Sequence, residues 1–298
     1  MAENLQGYIR LHPSSGAIHW PGEILDSINI GFIGAGNMAN SLIRGLLARG
    51  MDSTSIRAAD IDNDKLQQLA ADCKITAASN QQIADCADVI VLAVKPQVIE
   101  GVCTGLHLPE AEQGPLIVSI AAGITLGHLQ SWLGKQHAMV RCMPNTPALI
   151  GKGVSGLFGN ANITERQKQL ATQLMDSVGI SIWVDSESDI DAVTAVSGSG
   201  PAYFFLFMEA LQDAARELGL SKEIAKTLVY QTATGAAELA IHSDDDICEL
   251  RQKVTSPGGT TEQALNQFEE DGLRETVKRA LASARARSIE LAKEFGNN

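Results

Sequence analysis

"INIGFIGAGNMA", residues 28–39, decides how the rest of the chain is read. An apolar run over Asn29–Ile33 reads as a strand. A G-x-G-x-x-A pattern follows at Gly34, Gly36 and Ala39, and a helical stretch spans Met38–Arg49. Such a pattern alone is weak, but here it follows a strand and opens a helix. Gly34 permits a tight turn, Gly36 lets the backbone approach a pyrophosphate, and the small Ala39 lets the helix pack close to the sheet. Helix amides then face the phosphates.

Outward from this turn the strand–helix rhythm continues. Strands read at Ile56–Asp60, Val89–Val94, Leu116–Ile120 and Ala138–Cys142, and further strands at Val154–Phe158 and Ser181–Val184. Helical stretches lie between them at Asp64–Ala71, Gln97–Thr104, Thr125–Trp132 and Thr164–Ser177. "VIVLAV", residues 89–94, is apolar throughout, as a strand buried on both faces must be. The rhythm predicts a parallel sheet covered by helices. After about residue 187 the strand signals stop. "PAYFFLFMEALQDAARELGL", residues 201–220, is entered through Pro201 and closed near Gly219. Its first half is apolar all round, which predicts deep burial. Further helices read at residues 221–242, 244–254, 261–270 and 273–294. The fold class is therefore α/β, a Rossmann-type doubly wound sheet over residues 28–186, followed by an all-α domain over residues 187–298. Residues 1–27 lack a basic segment followed by an apolar one, so they are not a signal peptide. They read as a leader or an added extension and are expected to be mobile.

The totals narrow the function. The chain has 298 residues, 45% of them hydrophobic, with a net charge of −12. That excludes a disordered chain and disfavours nucleic acid or an anionic membrane as partner. No apolar run of membrane-spanning length is present. Five cysteines at 73, 86, 103, 142 and 248 show no C-x-x-C spacing, and six histidines are scattered. Reduced thiols in a cytoplasmic protein without a metal site are the simplest reading.

Five features carry chemistry. Asp60 ends the second strand about 20 residues beyond the glycine turn, where an acidic residue accepts from the adenosine ribose and favours NAD. A solvent-facing helix start would also place an Asp there. Lys95-Pro96 ends "VIVLAVKP", and "MPNTPA", residues 143–148, follows a later strand. Both stand where cofactor loops gather, although turn chemistry alone accounts for either. "VSGSGPAY", residues 196–203, is a Gly/Ser loop before a helix; it could pack near a cofactor or cap that helix. "KVTSPGGTTEQAL", residues 253–265, breaks one helix and starts another, with Thr260 or Thr261 as its cap. An ordinary corner needs one capping hydroxyl. This one has four, beside a helix start with unpaired amides, which makes a compact carboxylate receptor. No GxSxG, HExxH or similar acid–base signature is present. A protonated C=N substrate relaxes that demand, since hydride addition leaves an amine that solvent can protonate.

These motifs resemble those of the pyrroline-5-carboxylate reductase family. "IGFIGAGNMA", "VIVLAVKP", "VSIAAGIT", "MPNTPALIGKG", "AVSGSGPAYFF" and "VTSPGGTTEQAL" match it in order over about residues 28–275. The last is the family's signature. The resemblance implies reduction of 1-pyrroline-5-carboxylate to L-proline, the last step of proline biosynthesis. It implies NADP or NAD as cofactor, and a homodimer, in some members a ring of dimers, with each active site shared between subunits. Carried over by residue, Ser256 and the amides of Thr260 and Thr261 bind the substrate carboxylate. The Thr261 hydroxyl holds the ring nitrogen during hydride transfer, and Glu187 lines the substrate pocket. Gly34, Ala35, Gly36, Asn37 and Met38 form the pyrophosphate loop, and Asn80, Val94, Lys95 and Pro96 add cofactor contacts. One departure stands out. NADPH-using members often carry a small hydroxyl residue where this chain has Asp60, which would repel a 2′-phosphate. A β-hydroxyacid dehydrogenase would place a lysine early on the long interdomain helix, and "SGSGPAYFFLFMEA" has none. A non-catalytic dinucleotide-binding regulator would not need the intact hydroxyl turn.

Overall fold

The computed structural model describes residues 28–110 and 114–296. The expectations for residues 1–27 fall outside them. Eight strands form one sheet: Ile30–Ile33 (β1), Ile56–Ala59 (β2), Thr76–Ala77 (β3), Val89–Leu92 (β4), Leu116–Ser119 (β5), Met139–Met143 (β6), Gly153–Gly159 (β7) and Gly179–Trp183 (β8). Their order is β3-β2-β1-β4-β5-β6-β7-β8. The order reverses between β1 and β4, which opens a crevice at their carboxyl ends.

Alternation along the strands builds two cores. Ile30, Phe32, Val89, Val91, Leu116 and Val118 face one way and pack with Leu42, Ile43 and Leu46 of Asn37–Ala48 (α1) and with Leu170 and Leu174 of Glu165–Asp176 (α6). Leu66 and Leu69 of Asn63–Cys73 (α2) join them. Ile33, Ile90, Leu92 and Ile117 face the other way. They meet Ile83 of Asn80–Cys86 (α3), Ile99 of Pro96–Thr104 (α4) and Leu129 of Leu126–Leu133 (α5). Ile90 and Leu92 are fully buried, as a strand covered on both faces requires.

Two features depart from the expected parallel series. β7 runs antiparallel to β6, whereas β8 pairs parallel with β7. Residues 144–152 are too few for a parallel crossover, which needs about a dozen or more, so the chain turns back. The β3–α3 unit, absent from the sequence reading, is short and lies at the sheet edge. Its readable signal was the S-x-x-Q spacing at Ser79 and Gln82, which closes a capping box on α3.

The chain packs as two compact units. One holds residues 202–279; the other holds the described residues up to Pro201 together with those from Ala280 onward. The sequence reading placed the boundary after residue 186. By packing, the sheet-bearing unit includes Asp189–Val193 (α7) and a π-turn at Thr194–Gly198. The expected loop at 196–203 is therefore helical. Ser199 N–H reaches the Thr194 carbonyl at 2.8 Å, and the hydroxyls of Thr194 and Ser197 donate to carbonyls four residues earlier. Gly200–Glu217 (α8) follows directly, with Pro201 in its first turn. The last helix, Leu273–Gly296 (α12), brings residues 280–296 back to the sheet-bearing unit. There Ser288 Oγ donates to Asp191 at 2.8 Å and Phe295 joins the second core.

Residues 202–279 comprise most of α8, Lys222–His242 (α9), Ile247–Lys253 (α10), Thr260–Glu270 (α11) and the start of α12. The predicted deep burial of α8 does not hold within one chain, where Phe204, Phe205 and Leu206 are 68%, 64% and 67% exposed. A helix apolar all round but uncovered by its own chain marks an interaction surface.

The packing predicts thiol reactivity. Burial pushes the Cys103 thiol up to about 12 and also raises Cys73 and Cys142, while Cys86 is exposed. Alkylation at mildly basic pH, read by peptide mass spectrometry, is expected to label Cys86 in the native protein. Cys73, Cys103 and Cys142 should label only on unfolding, and early labelling of Cys142 would contradict the packing of β6.

Candidate active site

The glycine turn is built by close approach. Gly34 sits at φ +101°, and a Cβ there would stand 2.6 Å from the Ala93 carbonyl oxygen at the end of β4. Its own N–H donates to the Ala59 carbonyl at 2.7 Å, so the loops after β1, β2 and β4 meet at one place. A Cβ on Gly36 would enter open space. Gly36 caps α1 without a side chain, and among the described residues nothing is bonded to the amides of Asn37, Met38 and Ala39. This cradle, with free amides at a helix start and room above them, fits a pyrophosphate.

The other candidate cofactor residues stand around it at the same sheet edge. Asp60 Oδ2 accepts from the Ala35 N–H at 2.6 Å, and Oδ1 accepts from the Asp62 N–H at 2.9 Å. Each oxygen keeps a lone pair for a ribose hydroxyl. Val94 follows the Ala93 carbonyl against which Gly34 packs, and Lys95 caps α4 with Pro96 at its first position. Asn80 is the first residue of α3, at the carboxyl end of β3, which pairs with β2. Asn145 of the "MPNTPA" loop turns inward. Its amide nitrogen donates to the Ser197 carbonyl in the π-turn at 3.2 Å, and its oxygen accepts from Val154 N–H at 2.9 Å.

The hydroxyl-rich turn lies wholly within the helical unit. Neither Thr260 nor Thr261 caps α11, contrary to expectation; Gly259 does, with no side-chain bond. The Gly259 N–H closes a turn onto the Ser256 carbonyl at 3.0 Å, which draws the helix start back to the glycine. Thr255 Oγ1 donates to the Arg251 carbonyl at 2.6 Å and serves the end of α10. Among the described residues, the hydroxyls of Ser256, Thr260 and Thr261 and the amides of Thr260 and Thr261 have no partner. Gly258, at φ +71°, donates its N–H to Glu262 Oε2 at 2.7 Å.

Glu187 belongs to a separate cluster in the sheet-bearing unit. Its Oε1 accepts from the Leu126 N–H at the start of α5 at 2.7 Å and from Arg141 Nη1 at 3.2 Å. Arg141 is 4% exposed and also pairs with Asp191 at 3.3 Å. Thr125, His128, Arg141, Asp191, Ile289 and Lys293 line a cavity of about 470 Å³ beside it. Burial lowers the His128 pKa.

Residues 187–291 match the family model described as pyrroline-5-carboxylate reductase dimerisation. Residues 29–123, which hold the glycine turn, match one described as NADP oxidoreductase, coenzyme F420-dependent. Pyrroline-5-carboxylate reductase of Pseudomonas aeruginosa is 51% identical over 268 residues, 90% of this chain and 98% of that one.

The chain belongs to the pyrroline-5-carboxylate reductase family.

The pea enzyme of the same name is 38% identical over 90% of this chain and 97% of its own. The solved pyrroline-5-carboxylate reductase of Coxiella burnetii superposes with a TM-score of 0.84 at 45% identity, covering 89% of this chain and 98% of that one. A Plasmodium falciparum pyrroline carboxylate reductase, solved with NADP bound, gives 0.78 at 32% identity, with 90% and 99% covered. The uncovered apolar face of α8 falls inside the residues matched to the dimerisation model, and the chain oligomerises as a pyrroline-5-carboxylate reductase.

The sequence reading passed over two groups within this reductase. Arg141, a lone cation in the buried strand "MVRCM", was the signal for the cluster that takes up one Glu187 oxygen. Glu262 follows the two threonines directly, and its spacing to the glycines was the signal for the bond it makes.

Gly34→Ala is expected to weaken cofactor binding at least about 100-fold, since the residue needs both a positive φ and the missing Cβ. Titration of cofactor fluorescence checks it; binding retained within about tenfold would refute the cradle.

Proposed function

We propose that the chain reduces 1-pyrroline-5-carboxylate to L-proline, the last step of proline biosynthesis, in a homodimer that assembles further into a ring. The observation that carries this reading is the 255–262 turn: in a member of this family it keeps three hydroxyls and two helix-start amides unpartnered. The substrate carboxylate lies on the amides of Thr260 and Thr261 and on Ser256 Oγ, where the helix dipole favours an anion. The Thr261 hydroxyl holds the ring nitrogen. A nicotinamide cofactor, when bound, supplies one hydride to the carbon of the protonated C=N bond. The electron pair of that bond passes to nitrogen, and solvent protonates the resulting amine. Gly34 to Met38 hold the pyrophosphate, while Asp60, Asn80, Val94, Lys95 and Pro96 surround the rest of the cofactor. Glu187 lines the substrate pocket through the oxygen that Arg141 and Leu126 leave open.

Asp60 favours NADH over NADPH. A 2′-phosphate beside it meets three carboxylates, Asp60, Asp62 and Asp64. The start of α2 offers little in return, because Asp62 already accepts from the Lys65 N–H at 3.1 Å. At an effective dielectric of about 20, two like charges about 5 Å apart repel by about 3 kcal/mol. Solvent screening still leaves the roughly 1.4 kcal/mol that corresponds to tenfold.

Proline-dependent cofactor reduction at high pH, together with reduction of 1-pyrroline-5-carboxylate at neutral pH, tests the activity; absence of both refutes it. Thr261→Ala is expected to lower kcat/KM by about tenfold to 100-fold, because a hydrogen bond to a charged group contributes about 1.5–3 kcal/mol. Full activity would remove Thr261 from the site. Asp60→Ser should raise the NADPH-to-NADH ratio of kcat/KM by about tenfold or more. A strong NADPH preference in the parent, unchanged by the substitution, would refute the role given to Asp60.

A further inference from the structure

The bond between Glu262 and Gly258 takes no part in hydride transfer or in holding the ring nitrogen. Glu262 is the third residue of α11, and a glutamate there ordinarily reaches back to the amide of the N-cap residue while a capping hydroxyl bonds forward into the helix. Both halves of that arrangement are altered here. The N-cap is a glycine, so no side chain covers the amides of the first turn. The N-cap amide is already bonded to the Ser256 carbonyl, and Glu262 reaches one residue further, to the Gly258 N–H at 2.7 Å.

We propose that Glu262 is the positioning residue of the substrate turn, holding Gly258 in its left-handed conformation so that Ser256 on one side and the Thr260 and Thr261 amides on the other converge on one carboxylate. The proposal rests on the reading of this turn as the substrate site. Ser256 and Thr260 are separated by Pro257, Gly258 and Gly259. A glycine populates positive and negative φ with similar ease, so Gly258 does not hold φ +71° by its own preference. The Ser256–Gly259 turn, with Pro257 and Gly258 at its centre, calls for a positive φ at Gly258, and the Glu262 side chain bonded to the Gly258 amide holds that turn in place. The incoming carboxylate then bonds the amides that a capping hydroxyl would otherwise cover, and completes the cap that Gly259 leaves open. Glu262 acts through a hydrogen bond to an amide, so an uncharged acceptor of the same length serves equally well. The turn is mostly exposed in the chain, so loosening it alters binding more than global stability.

Steady-state kinetics of the full-length enzyme with 1-pyrroline-5-carboxylate test this. Glu262→Ala is expected to raise the substrate KM about tenfold, with kcat, cofactor KM and Tm little changed. Glu262→Gln, whose amide oxygen accepts the same bond, is expected to return KM to within about threefold of the parent. An unchanged KM in Glu262→Ala overturns the proposal, and so does equal impairment of both variants, which would assign the effect to charge. Thr261→Ala measured alongside separates the two levels. If it too leaves kcat and KM unaltered, the turn is not the substrate site and both readings fall. If it is impaired while Glu262→Ala is not, only the role of Glu262 falls.

Discussion

Everything at the cofactor end depends on one close approach, that of Gly34 to the Ala93 carbonyl. A side chain at Gly34 would overlap that oxygen and could not readily hold φ +101°. Because the turn fits, the Gly34 N–H reaches β2 and the Ala35 N–H reaches Asp60, so three strand ends share one crevice. α1 then begins at a residue without a capping side chain, which leaves its first amides open. The 255–262 turn uses the same physics in a different fold context. There Gly259 opens α11 without a capping side chain, and Gly258 provides the positive φ.

The sheet was largely legible because buried strands and amphipathic helices leave strong periodic patterns. "VIVLAV" is apolar at every position because both faces of β4 are covered, and Ile90 and Val91 lie in different cores. The reversed β7 was not legible from periodicity, since a strand reads the same in either direction; only the short 144–152 connection distinguishes it. The exposure of α8 was not legible for another reason. Hydrophobicity states that a surface must be covered, not which chain covers it.

The candidate site was legible as segments rich in glycine and hydroxyl residues, and less so in which of their atoms are left without partners. Thr255 and Thr260 are alike as residues, yet one hydroxyl closes a helix end and the other is unpartnered; that difference depends on where α10 stops. The assignment of the cap to a threonine failed because the Ser256–Gly259 turn starts the helix one residue early. Glu187 enters the candidate site through likeness of motif alone. Its bond to Arg141 crosses from α7's approach to β6, a separation that no local pattern records.

The return of α12 makes the sheet-bearing unit discontinuous in the chain. Residues 202–279 are, in chain order, an insertion between two pieces of one packed body. During synthesis from the amino end, that body cannot finish packing when its last strand, β8, has emerged. Asp191 awaits Ser288 and the second core awaits Phe295, so the sheet-bearing unit reaches its final form only after the inserted helices have been made.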